Sequence, residues 1–262
     1  MIIAHLKDKA MCHLCLNKTA SHDTQTFRSS RRSLLKLLAS SPFWMAGLGA
    51  SASIVSQAIA AEPKPANVLT PEAALRRLMQ GNERYVAGQT STRNFQSARA
   101  ALTKGQNPYA CILSCADSRV SPEFCFDEDR GDLFVTRLAG NYVSLDILAS
   151  LEYGAAVLKA PLIMVLGHTD CGAIKAAIKA SQDNTDFPGH IQTITTDLSS
   201  AVQAGLKMKG NLVDTATREN IKINVQRLKE STPILRQLVR DNKLKVVGGL
   251  YHLDTGKVES IS

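Results

Sequence analysis

The run Leu162-Ile163-Met164-Val165-Leu166-Gly167-His168-Thr169-Asp170-Cys171-Gly172-Ala173-Ile174-Lys175-Ala176-Ala177-Ile178 passes from an unbroken apolar segment, through a short polar turn, into a helix start. Five apolar residues in a row have the length and continuity of a strand buried on both faces. A second run has the same design, with Ala110-Cys111-Ile112-Leu113-Ser114 leading into Cys115-Ala116-Asp117-Ser118-Arg119. Strand followed by turn and helix is the unit of a parallel sheet, whose functional residues gather at the carboxyl ends of the strands.

Outward from these two runs the pattern keeps alternating. Thr70-Pro71-Glu72 supplies an N-cap, a proline in the first turn and an acid at the positive end of the dipole, which predicts a helix from about Pro71 to Val86. Gly81-Asn82 is expected to weaken its middle. Strands follow at Tyr109 to Ser114, Leu133 to Thr136 and Leu162 to Leu166, with a helix from Leu145 to Leu158 and another from about Ala173. Residues 181–211 read as shorter helices broken at Pro188-Gly189, and a long helix from Arg218 to Val239 is interrupted or restarted at Pro233. Two extended segments, Leu244 to Leu253 and Val258 to Ile261, surround the turn Asp254-Thr255-Gly256-Lys257 and form a hairpin at a sheet edge. The fold class is therefore α/β: a mainly parallel central sheet flanked by helices, with an N-terminal helix and a C-terminal antiparallel edge hairpin.

Cys115, His168 and Cys171 carry the chemistry. Two thiolates and one imidazole are a tetrahedral zinc set with one position left for water, which is the make-up of a catalytic rather than a structural site and implies hydrolysis or hydration. The helix start after Cys171 would turn backbone N–H groups and a positive dipole end toward the sulfurs, holding them as thiolates. Asp117 and Arg119 lie two and four residues after the first ligand, and an arginine fork can fix a carboxylate so that it steers water at the metal. Alone, Asp117 and Arg119 would read as a turn-stabilising ion pair. With both ligand strings present at strand ends, the catalytic reading leads.

Composition sets the frame. The chain has 262 residues and a formal net charge of +8. Residues 1–60 hold seven of the 31 Lys and Arg and two of the 23 Asp and Glu, leaving 24 against 21 on residues 61–262. The basic balance thus belongs mostly to the first sixty residues, and no basic stripe interleaved with aromatics speaks for nucleic acid. Ser30-Arg31-Arg32-Ser33-Leu34-Leu35-Lys36 reads as a twin-arginine export signal, and Ala58-Ile59-Ala60 as its cleavage site, with the cut after Ala60. The alternative is that Leu37 to Ala60 stays as a membrane anchor. The inferred organisation is a signal peptide over 1–60, a linker over 61–69 and one catalytic domain over 70–262, exported folded to a bacterial periplasm by the twin-arginine machinery. Cys12-His13-Leu14-Cys15 resembles half a zinc knuckle without a second half and reads as incidental, and Cys111 and Cys125 read as buried small hydrophobes, with a disulfide as the alternative. Of the histidines after Ala60, His190 sits in a predicted loop, where a proton-shuttle role competes with plain solvation, and His252 reads as structural.

The chain resembles the β-class carbonic anhydrases from about Thr70 to Val258. The resemblance rests on both ligand strings, on Gly131-Asp132-Leu133-Phe134-Val135-Thr136-Arg137-Leu138-Ala139-Gly140-Asn141, on Glu152-Tyr153-Gly154, and on Lys243-Leu244-Lys245-Val246-Val247-Gly248-Gly249. It implies one Zn2+ per chain on Cys115, His168 and Cys171, with Asp117 and Arg119 as the catalytic pair. It also implies a narrow pocket lined by Gln106, Phe134 and Tyr153, with Gly172 lending a backbone N–H. Phe134 and Tyr153 would equally suit plain core roles. The implied reaction is reversible hydration of carbon dioxide to bicarbonate and a proton by hydroxide generated at zinc, favoured at neutral to alkaline pH. The implied assembly is a homodimer or homotetramer with the pocket between protomers. Ile112 and Ser114 stand where members with a second bicarbonate site have Trp and Gly, so the open form with a free Asp117 is expected. Three rivals stay open: hydrolysis of carbon disulfide or carbonyl sulfide at the same site, a redox thiol protein using Cys111, Cys115 and Cys171, and a non-catalytic zinc scaffold.

Overall fold

The computed structural model describes residues 69–262; the export signal, its cleavage site, the candidate anchor and the linker all lie outside the described residues, apart from Leu69. Among the described residues no helix is long and apolar enough to cross a membrane.

Helix α1 spans Pro71–Val86, with Pro71 at its first position and Ala73 N donating to the Thr70 hydroxyl at 3.2 Å, as the sequence predicts. It runs through Gly81-Asn82 without interruption. The reason is packing: a Cβ on Gly81 would lie 1.8 Å from the Phe126 carbonyl oxygen, so glycine is what lets the helix approach that backbone. Asn82 is buried and bonds across the molecule, donating to the carbonyls of Cys125 and Gly256 and accepting from Val258 N.

The sheet contains β1 (Ala110–Ser114), β2 (Leu133–Arg137), β3 (Leu162–His168), β4 (Lys245–Tyr251) and β5 (Val258–Ile261), in the order β2-β1-β3-β4-β5. Every pairing is parallel except β4 with β5, which close the edge as the expected hairpin. Side chains alternate between faces along each strand. Ala110, Ile112, Leu162, Met164 and Leu166 pack against α1 and a one-turn helix α3 (Pro122–Cys125). Cys111, Leu113, Ile163 and Val165 pack with α4 (Leu145–Glu152), α8 (Leu212–Glu230) and α9 (Ile234–Arg240). A third cluster lies at the carboxyl ends of the strands and joins Cys115, Tyr142 and Cys171 to α5 (Gly172–Asp183), α6 (Ile191–Asp197) and α7 (Ser199–Gly205).

Several boundaries differ from the sequence reading. β3 runs two residues further than Leu166, so His168 is itself the last residue of a strand. The helix expected over 145–158 is α-helical only to Glu152 and then widens into one π turn, Tyr153–Val157. α8 starts at Leu212 rather than Arg218, because the Asn211 side chain caps Val213 N and Asp214 N. Its first turns bury Thr215, Ala216 and Thr217, and hydroxyls at buried positions hide a helix face from a hydrophobic pattern. Pro233 does separate α8 from α9. Helix α2 (Phe95–Leu102) and α3 had no counterpart in the sequence reading.

Candidate metal centre

The strand order places the site. From β1 the chain goes to β2 on one side, and β3 then pairs on the other side of β1, so neighbouring connections diverge between the carboxyl ends of β1 and β3. A crevice at such a reversal is where open α/β sheets take their ligands. Cys115 follows β1 directly, His168 ends β3, and Cys171 is the residue on which α5 begins.

These three come together. One ligand atom from each lies within 4.8 Å of the others, and all three residues are buried. His168 is fully buried, and its Nδ1 lies 2.9 Å from the Thr169 carbonyl. A carbonyl can only accept, so Nδ1 carries the hydrogen, and in the neutral ring Nε2 keeps a lone pair. That Nε2 has no hydrogen-bond partner. A buried acceptor left without a partner is costly. A cation held by Nε2 and the two sulfurs removes that cost, so the donor set fits zinc, with His168 oriented by the carbonyl on its other nitrogen.

The two sulfurs are tied together, one favoured as thiolate and the other as thiol. The neighbouring Cys171 thiol, His168 and the Gly140 N–H donating at 3.3 Å hold Cys115 well below the usual thiol range, while the Cys115 sulfur and burial push Cys171 well up. The backbone N–H groups of Ala173 and Ile174, in the first turn of α5, lie beside the Cys171 sulfur and partly offset that rise. Any side chain at Gly140 would be strained, since its φ is +84° and a Cβ would come within 2.7 Å of the Leu198 side chain. Asn220 Nδ2 donates to the Gly140 carbonyl at 2.8 Å, and Asn224 in turn bonds Asn220 and accepts from Val143 N. Two buried asparagines of α8 thus brace the turn that touches Cys115. Nothing in a single sequence marks them, since asparagines in a helix usually face water.

Asp117 and Arg119 meet as the expected fork. Arg119 Nε donates to Asp117 Oδ1 at 2.9 Å and Nη2 to Oδ2 at 2.7 Å, and Arg119 N also donates to Oδ1. These bonds hold the Asp117 carboxyl well below the usual carboxylate range. Its Oδ2 lies 3.8 Å from His168 Nε2, beside the ligand set. Asp170, at φ +60°, extends the charge row: its carbonyl accepts from Arg119 Nη2 at 3.5 Å and its carboxylate pairs with Lys175.

Of the remaining sequence-predicted residues, Gly172 directly follows Cys171, and the others lie outside this cluster within one chain. Gln106 is exposed in the loop before β1. Phe134 pairs in register with Cys111, four residues before the first ligand, and its ring lies 6.2 Å from that of Tyr153 at an interplanar angle of 40°. Phe134 packs on the core beneath α4, whereas Tyr153 is about half exposed, so the plain core role suits the first better than the second. Gly172 opens α5 with open space where a Cβ would stand. His190 is exposed, and His252 bonds Glu259, which also pairs with Arg218, as a structural histidine would. Cys111 and Cys125 are free and buried, and burial pushes Cys111 up to about 12 and Cys125 up to about 11. Cys111 lies in the core under α4 and α8, outside the ligand cluster, which removes the third thiol that the redox reading needs.

A family model described as carbonic anhydrase matches residues 110–258. Carbonic anhydrase 2 of Mycobacterium tuberculosis is 38% identical over 189 residues, 71% of this chain and 91% of its own length. The carbonic anhydrase of Mycolicibacterium smegmatis is 37% identical over 190 residues, 72% of this chain and 92% of its own. Among solved structures, a Coccomyxa β-carbonic anhydrase in complex with acetazolamide superposes with a TM-score of 0.57 at 28% identity, covering 71% of this chain and 86% of that one.

Proposed function

Since the chain belongs to the β-class carbonic anhydrases, we propose that it catalyses the reversible hydration of carbon dioxide to bicarbonate and a proton, with one Zn2+ per chain held by Cys115, His168 and Cys171. The observation that carries this is the partnerless, fully buried Nε2 of His168 within reach of two sulfurs and of a carboxylate gripped by arginine. Zinc, when bound, supplies a Lewis acid that makes water nucleophilic near neutral pH.

The chain's own groups do the rest. Arg119 occupies one side of both Asp117 oxygens and keeps them ionised, so a remaining lone pair of Oδ2 is available to accept a hydrogen bond from the reacting water and aim it. The N–H groups of Gly140, Ala173 and Ile174 spread the charge of the two sulfurs. The two bonds from Arg119 draw the Asp117 carboxylate toward the arginine, which supports the open form. The depressed Asp117 pKa also fixes a sign. The ion pair's contribution is complete above the ordinary aspartate value of about 3.9 and fades only at lower pH, so a rate that changes between neutral and alkaline pH is not reporting Asp117.

An Asp117→Asn variant tests the assignment. It should retain one zinc by metal analysis while stopped-flow hydration falls by about 10–100-fold. Zinc-loaded parent protein that hydrates carbon dioxide no faster than buffer would overturn the function; full activity in the variant would overturn the role of Asp117.

The pocket needs a second protomer on this reading. Leu145 is 80% exposed, Val157 59% and Tyr153 48%, all on α4 and its π turn, beside edge strand β2 that carries Phe134. Large apolar side chains at that exposure suit burial against another copy, which would bring a partner's loops over Gln106, Phe134 and Tyr153 and close a narrow apolar pocket. Leu145→Glu places an acid at the first position of α4, where the helix dipole favours it. The variant is therefore expected to stay folded but sediment as a smaller species than the parent. An unchanged sedimentation coefficient would remove this face from the interface.

The site of action proposed is the bacterial periplasm. Its support is Ser30-Arg31-Arg32-Ser33-Leu34-Leu35-Lys36 and the small-residue pattern Ala58-Ile59-Ala60.

A further inference from the structure

Arg137 ends β2, and Ser114, the last residue of β1, is its partner in register. From there its guanidinium reaches over the carboxyl end of β1. Nε donates to the Cys115 carbonyl at 3.0 Å, and Nη2 donates to the Asp117 carbonyl at 2.6 Å. One planar fork therefore bridges the two residues that flank Ala116, of which one bears a sulfur of the ligand cluster and the other the carboxylate. Main-chain bonds between the same segments, Leu138 N to Ser114 O at 3.0 Å and Ala116 N to Leu138 O at 3.3 Å, fix the residues between and before them. The Asp117 carboxylate itself is held by Arg119, so the two arginines divide the work: one sets the side chain, the other the backbone from which it projects.

We propose that Arg137 is a positioning residue, clamping the carbonyls of Cys115 and Asp117 so that sulfur and carboxylate keep a fixed separation and relative orientation. The inference rests on the role given to Asp117 above. Its physical basis is the geometry of the guanidinium: two donors in a rigid plane fix two acceptors relative to one another, whereas the single point charge of a lysine ammonium does not. A carboxylate displaced by about 1 Å loses its hydrogen-bond geometry to the reacting water.

The test compares full-length parent, Arg137→Ala and Arg137→Lys by circular dichroism, zinc content, the thiolate-to-metal charge-transfer absorption of the cobalt-substituted protein, and carbon dioxide hydration. For Arg137→Ala the expected result is native dichroism, one metal per chain, a shifted charge-transfer band, and kcat/KM lowered by about 10–100-fold, with part of the loss restored by added guanidinium. Arg137→Lys should fall between the two, and it carries the test alone if the alanine variant does not fold. A charge-transfer band and kcat/KM unchanged in a folded variant would overturn the proposal. So would a loss of rate explained wholly by loss of metal in both variants and not restored by guanidinium. If the parent itself hydrates no carbon dioxide, the functional reading fails, while the cobalt band still decides the clamp.

Discussion

A Cys171→Ala chain is expected to lose its zinc on dialysis and, with it, all measurable carbon dioxide hydration. Cysteine at this position joins two jobs, ending the turn after β3 and presenting sulfur beside Cys115 and His168. Four-ligand zinc sites bind with about 10–16 kcal/mol, so the share of one ligand is about 2.5–4 kcal/mol, or roughly two to three decades of affinity. The variant also removes the sulfur that faces the N–H groups of Ala173 and Ile174, but the Cys171 side chain makes no cap hydrogen bond to lose. Metal loss should therefore dominate over any fraying of α5. Zinc added to chelator-treated parent should raise its melting temperature, because an ion that binds only the native state stabilises it; the variant's melting temperature should not respond. Stoichiometric zinc surviving dialysis of the variant, with rate intact, would remove Cys171 from the ligand set.

The second large effect lies away from the metal. Asp127→Ala is expected to destabilise the fold by about 3–5 kcal/mol, the usual cost of removing one partner from a buried ion pair. The Asp127 side chain is fully buried and in a left-handed backbone conformation, φ 46°, that aspartate tolerates better than most residues. Arg84 Nε donates to Oδ2 at 2.6 Å, Arg93 reaches Oδ1 at 2.8 Å, and the backbone and hydroxyl of Ser91 both donate at 3.0 Å. Burial alone would raise this carboxyl, but the bonds from Arg84, Ser91 and Arg93 outweigh it and bring it down to about 2. The sign follows: the stabilisation is complete above the ordinary aspartate pKa of about 3.9 and is lost as pH falls toward about 2. For a domain of this size the change corresponds to roughly 6–20 °C in melting temperature. Asp127→Asn, which keeps one acceptor, should fall between parent and alanine. An alanine variant that melts with the parent would show that the segment around Ser91 and Arg93 is held by something else.

The parallel strands and the cluster of Cys115, His168 and Cys171 were legible because both are written locally. A run such as Leu162 to Leu166 is buried on both faces, so its apolar continuity survives in the sequence, and cysteine and histidine at its end carry their chemistry with them. What stayed hidden was set by distant contacts. Gly81-Asn82 reads as a weak spot by propensity, yet both residues are there for the Phe126 carbonyl and the C-terminal hairpin. The first turns of α8 bury threonines against α7, the Thr215 hydroxyl reaching the Gly205 carbonyl at 3.2 Å, and so show no apolar stripe. Arg137 could be quoted as part of a resemblance, but its bonds to Cys115 and Asp117 depend on which strand lies next to β1. A strand order is not a local property.

Asn82 has a consequence for how the protein is made. Its amide donates to Gly256 and accepts from Val258, residues 174 and 176 positions further along the chain. A nascent polypeptide whose last strands are still inside the ribosome has no partners to offer that side chain, and the groove where the hairpin belongs stands bare. The first described helix is therefore sealed only after the hairpin has left the ribosome, and a truncation that removes the chain from Gly256 onward should leave a product that proteases clear.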